Sequence, residues 1–91
     1  MLIMNKFLGW YKLNKGVVSL TDAKIGFEYT IVYVNINKTL KSKLYDLGII
    51  EKSKIIPLYK SLFRGCVAYS IKGSVVALRN KDVKCVLVRE S

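Results

Sequence analysis

Two cysteines and six carboxylates, with no histidine, are the residues best suited to metal ligation or acid chemistry in this chain. Without histidine there is no Ser-His-Asp or Cys-His arrangement, no imidazole base and no imidazole metal ligand. The three Asp and three Glu are scattered, with no two at the i,i+3 or i,i+4 spacing that sets carboxylates on one helical face. Cys66 and Cys85 lie nineteen positions apart, outside any CxxC, and supply half of a soft-metal site at most. They read as buried thiols of a reducing compartment, since a small secreted domain is normally held by four or more. A single disulfide would require both to fall on neighbouring strands. The expectation is a binding protein and not an enzyme, with no catalytic residue, no cofactor and no metal site.

The residues suited to binding are basic and aromatic. Sixteen Lys plus Arg against six acids leave a formal charge of +10, which favours an acidic protein face, anionic lipid or nucleic acid. Lysine accounts for thirteen of the sixteen cations, whereas readers of bases and phosphates lean on the bidentate fork of Arg, so no specific nucleic acid is expected. Lys38, Lys41, Lys43, Lys52 and Lys54 crowd one stretch. They form either a solvated face or a docking patch for an acidic protein or an anionic membrane surface, and docking of that kind weakens steeply with salt. Phe63 and Arg64 sit where a loop tip is expected, a costly place to expose a large apolar residue without a partner. Tyr59, Lys60 and Tyr69 flank them as further candidates for a partner-binding groove. Tyr29, Tyr33 and Tyr69 would stack bases if exposed, which defines an alternative function, a small basic nucleic-acid-binding barrel. They alternate with Val and Ile, a pattern that suits core residues equally.

Ninety-one residues provide for one domain. A chain of this size buries roughly 60–65% of its unfolded surface, so the core is modest. A hydrophobic content of 52% with one proline excludes disorder as the dominant state. Residues 1–18 read as an N-terminal extension. Within it Ile3, Met4, Phe7, Leu8, Trp10 and Tyr11 share one face of an amphipathic helix, in a stretch too short to span a bilayer and lacking a signal-peptide cleavage site. The domain proper is read as residues 19–91. Ser19 and Asp22 imitate a capping box over one short helical turn that Gly26 ends. Residues 27–35, FEYTIVYVN, form the first strand. Residues 38–47 form a helix with Leu40, Leu44 and Leu47 on one core-facing stripe and Gly48 at its C-terminal stop. Four more strands follow over residues 53–61, 66–72, 75–79 and 85–89. Pro57 marks an edge or a bulge, Gly73-Ser74 a tight hairpin of the Gly-X type, and residues 80–82 a 3₁₀ turn. The expected architecture is mainly β, a small five-stranded antiparallel barrel with one or two short helices and an amphipathic extension.

Two runs then resemble the FeoA family of small accessory proteins of bacterial ferrous iron transport. The first is LYDLGIIEKSKI, residues 44–55, and the second KGSVVALRNKDVKCVLV, residues 72–88. Leu44, Leu47, Gly48 and Ile49 match the family's leucine-rich helix and its Leu-Gly end. Gly73, Ala77, Leu78, Arg79, Asp82, Val86 and Val88 match its hairpin glycine, Ala-Leu-Arg strand, acidic turn and closing Val-rich strand. Residues 20–26 resemble its opening turn. Glu51-Lys52 stand where the family usually has Pro-Gly, and residues 62–66 where it usually has Pro-x-Gly-Asp-Pro. The resemblance implies an SH3-like barrel, with Leu44, Leu47, Gly48, Gly73 and Leu78 as framework residues. It also implies a cytoplasmic role beside the FeoB membrane transporter, by contact with its cytoplasmic domain and with an effect on its GTPase or gating. The same barrel resembles the C-terminal domain of iron-dependent repressors, without their helix-turn-helix. Direct ligation of Fe(II), which prefers imidazole with carboxylate, is not expected of this chain.

Overall fold

A computed structural model of the protein describes residues 16–91. The amphipathic stretch read within residues 1–13 lies outside them. The described elements in chain order are β1 (Val17–Ser19), a 3₁₀ turn (Leu20–Asp22), β2 (Tyr29–Val34), α1 (Lys38–Asp46), β3 (Lys54–Lys60), β4 (Cys66–Ile71), β5 (Ser74–Arg79), α2 (Asn80–Val83) and β6 (Val86–Glu90). The strands form one sheet in the order β1-β6-β2-β3-β4-β5, every neighbouring pair antiparallel.

Strand β3 bends the sheet into a barrel. Its first residues, Lys54 and Ile55, pair with β2, whereas Ile56 to Lys60 pair with β4. The change of partner comes next to Pro57, which has no N–H for a ladder, and a bulge follows between Pro57 and Tyr59. Of the two sequence alternatives for Pro57 the structure therefore takes the bulge. The Pro57 carbonyl accepts the Gly26 N–H at 2.7 Å, fastening the loop before β2 to the bend. At the far end α2 packs on both β5 and the 3₁₀ turn, which closes the barrel.

The core fills the space between the two halves of the sheet and α1. Ile31, Ile49, Ile55, Tyr69, Ile71 and Val86 are its centre, and no polar or charged residue among those described is buried. Helix α1 starts at Asn37, whose side-chain oxygen accepts the Leu40 N–H at 2.9 Å. It ends in a Schellman arrangement. The Ile49 N–H reaches the Leu44 carbonyl, the Gly48 N–H reaches that of Tyr45, and Gly48 takes the left-handed φ of 97°.

The structure differs from the sequence reading at four places. Val17 and Val18, assigned to the extension, form β1 opposite Arg89 and Val88, so the sheet has six strands. Three residues are too few to show a strand period. Leu47 does not join the apolar stripe of Leu40 and Leu44; it is the C-cap, beyond the last helical residue Asp46, and 41% exposed. The hairpin is turned by Lys72-Gly73, both at positive φ (50° and 81°), between the paired Ile71 and Ser74. That is a type I′ turn, whose twist matches the strands. Residues 80–83 make one α-helical turn, not a 3₁₀ turn.

Candidate functional site

The loop between β3 and β4 is tied down at both ends and bare at its tip. The Ser61 N–H donates to the Cys66 carbonyl at 3.0 Å, and the Ser61 hydroxyl accepts the Phe63 N–H at 3.2 Å. The Cys66 N–H closes a turn onto the Phe63 carbonyl at 3.1 Å, with Gly65 supplying the φ of 75° that the turn needs. Backbone groups fixed in this way hold the side chains of Leu62 and Phe63 outward. Leu62 is fully exposed and Phe63 is 76% exposed.

The Gly65 carbonyl accepts the Asn80 N–H at 2.7 Å, which couples the loop to the start of α2. Arg64, Gly65, Arg79, Asn80 and Lys81 then line one open concavity. Arg79 reaches it because it pairs opposite Cys66, the first residue of β4. Its Nε donates to Asp82 Oδ2 at 2.9 Å. Among the described residues this is the one ion pair, so Arg64 and Lys81 face the concavity without an acidic partner.

The other sequence candidates divide. Tyr59 is 56% exposed and Lys60 is exposed, both at the loop's base. The bulge after Pro57 turns Tyr59 outward, opposite Ala68, while Pro57 keeps Tyr69 opposite it on the inner face. Tyr69 is therefore a core residue, 1% exposed, and not part of any binding groove; burial pushes its phenol up to about 12. Tyr29 is buried as well, its hydroxyl accepting the Lys24 N–H at 2.8 Å. Two of the three tyrosines proposed to stack bases are thus inside, and only Tyr33 is exposed, turned out by the bulge between Ile31 and Tyr33.

The lysines differ in their contacts. Lys41 lies over the Tyr45 ring, 5.5 Å from its centre, and Tyr45 donates its hydroxyl to Glu51 at 2.7 Å. That hydrogen bond, helped by Lys41, holds the Glu51 carboxyl below its ordinary range. Lys54 turns to the sheet, donating to Thr30 at 2.9 Å. Lys38, Lys43 and Lys52 remain exposed. Cys66 and Cys85 are both free and half-buried, and no group of His, Cys, Asp or Glu among the described residues is placed to hold a metal ion.

Sequence reasoning found the loop but missed its second wall. The sequence sets Arg79 only in the Ala-Leu-Arg strand of the family resemblance and Lys81 in a turn. Their place beside Arg64 follows from the β4–β5 register and the Asn80–Gly65 hydrogen bond, which no linear spacing displays.

Among solved structures, the iron uptake regulatory protein FeoA superposes with a TM-score of 0.74 at 23% identity, over 82% of this chain and 97% of that one. A FeoA-like protein from Clostridium acetobutylicum does so with a TM-score of 0.73 at 20% identity, over 84% and 88%. A manganese-dependent transcriptional repressor matches with a TM-score of 0.74 at 17% identity, over 82% of this chain but 42% of its own. These are likenesses of fold, and the FeoA structures share the SH3-like barrel expected from the sequence. No curated protein matches the chain. The family model of the FeoA domain matches residues 18–90, which takes in β2 to β6, all but the first residue of β1, both helices and the Arg64–Arg79 concavity, and the chain belongs to the FeoA family.

Proposed function

We propose that this protein is a non-enzymatic accessory of bacterial ferrous iron uptake that works by contact with the cytoplasmic part of the FeoB transporter, presenting the β3–β4 loop to it. Family membership supports a role in ferrous iron transport systems. The observation that supports contact as the mode of action is the loop tip. Two large apolar side chains, Leu62 and Phe63, stand in solvent on a backbone fixed by its own hydrogen bonds. An exposed aromatic held rigidly beside an Arg is the kind of anchor on which interfaces depend, because little conformational entropy is lost on docking.

Such a module would alter GTP hydrolysis or gating by favouring one state of its partner. Its place is the cytoplasmic face of the membrane, reached through the transporter; no helix among the described residues is long and apolar enough to cross a bilayer. The test is capture of FeoB by the wild-type chain and by a Phe63→Ala/Arg64→Ala double variant. The variant is expected to capture less while melting at the same temperature, since neither side chain packs in the core. Equal capture by both would place the contact elsewhere.

A further inference from the structure

We infer that the concavity between the β3–β4 loop and α2 is a binding site for an acidic, partly apolar peptide segment of a protein partner. Carboxylates of that segment lie against Arg64, Arg79 and Lys81, and an apolar side chain lies against Leu62 and Phe63. The inference rests on the reading of the protein as a module that acts by protein contact, and it names the chemistry of what is contacted.

Three cations line one depression, and the nearest acid, Asp82, engages only Nε of Arg79. Like charges held together without counter-charges repel one another, and an incoming carboxylate relieves this. The Arg79–Asp82 pair shows that a guanidinium in this position already donates to a carboxylate, at 2.9 Å, while Arg64 and Lys81 have no acidic partner among the described residues. The site is preformed: Gly65 and Asn80 are hydrogen-bonded to each other across it, so loop and helical turn keep their spacing without the ligand. Leu62 and Phe63, the two loop residues before Arg64, are apolar and exposed.

That combination separates a peptide from simpler anions. A phosphate site gathers backbone N–H groups and desolvated cations around one small ion. Here the cations are exposed, Arg79 by 60% of its side chain, and the loop residues that lead into Arg64 are hydrocarbon. A bilayer surface would use a broad basic face, whereas the remaining lysines among the described residues are distributed over α1, the sheet and the turns. An extended acidic segment with one apolar residue satisfies both the charge and the hydrocarbon.

The experiment uses the full ¹⁵N-labelled chain and a short capped peptide of Asp and Glu interrupted by one Leu and one Phe. Saturable shifts are expected at the Gly65, Asn80 and Lys81 amides and at the Arg64 and Arg79 side-chain signals. An Arg64→Glu/Lys81→Glu variant is expected to lose affinity about tenfold or more, as loss of a charge-complementary contact entails. A Lys24→Glu/Lys72→Glu variant has the same net charge but leaves the concavity intact, and is expected to bind as the wild type does. Equal loss in the two variants would reduce the effect to overall charge and overturn the inference. So would shifts without saturation, or the same shift pattern from inorganic phosphate or from phosphatidylglycerol vesicles. Peptide binding is read on the isolated protein, so its failure leaves the iron-uptake reading standing. Failure of the chain to support uptake would likewise leave a positive titration standing.

Discussion

Phe63 and Arg64 matter because of where their backbone is held, and two other residues show how closely side-chain identity is tied to position in this barrel. Tyr69 lies opposite Pro57 on the inner face of β4, and burial raises its phenol from the ordinary 10.0 to about 12. The neutral form is the one the core accepts, so the folded state resists ionisation that the unfolded chain undergoes near its ordinary value. The resulting stability is fully present below about pH 10 and is lost as the pH rises toward about 12. Thermal melts between these limits are expected to fall more steeply for the wild type than for Tyr69→Phe; parallel slopes would contradict this. Gly48 ends α1 at a φ of 97°, and a Cβ there would come within 3.1 Å of Ile71 Cγ2 in the core. Gly48→Ala is expected to cost about 2 kcal/mol in denaturant unfolding, from left-handed strain and the displaced Ile71 together.

At the scale of elements, what the sequence disclosed depended on how local each signal was. Helix α1 was legible because Asn37, the Leu40–Leu44 spacing and Gly48 are all local devices. Strands β3 and β4 were legible as β-branched and aromatic runs between turn residues. The bulges in β2 and β3 were not fully legible, and they decide the outward side chains: each adds one residue and so exposes Tyr33 and Tyr59 while Tyr29 and Tyr69 stay inside. Grouping Tyr59 with Tyr69 as groove aromatics takes no account of which face each occupies, and a bulge decides that for Tyr59. Strand β1 was missed for another reason: its stability comes from pairing with β6, the strand most distant in sequence. Val17 is 5% exposed in that pairing, so Val17→Ala is expected to lower stability by about 2 kcal/mol, a value set by lost burial plus a small cavity. An unchanged unfolding midpoint would mean that β1 does not belong to the cooperative unit.

On the scale of the whole molecule, the formal charge of +10 is divided between fixed and free cations. Lys41 and Lys54 are committed to Tyr45 and Thr30, and Arg79 to Asp82. Arg64 and Lys81 line one concavity without an acidic partner among the described residues, and the exposed Leu62 and Phe63 lead into Arg64 along the loop. A cation-lined concavity next to an exposed apolar loop suits a module that docks through that loop. The FeoA family places such a module in ferrous iron transport, and the central claim is that the loop end is what the transport system uses. The most direct test is Fe(II) uptake in a strain lacking this protein, complemented by the full chain or by Phe63→Ala/Arg64→Ala at matched abundance. The account predicts that the wild type restores uptake and that the folded variant does not. Full restoration by the variant, or uptake indifferent to loss of the protein, would contradict it.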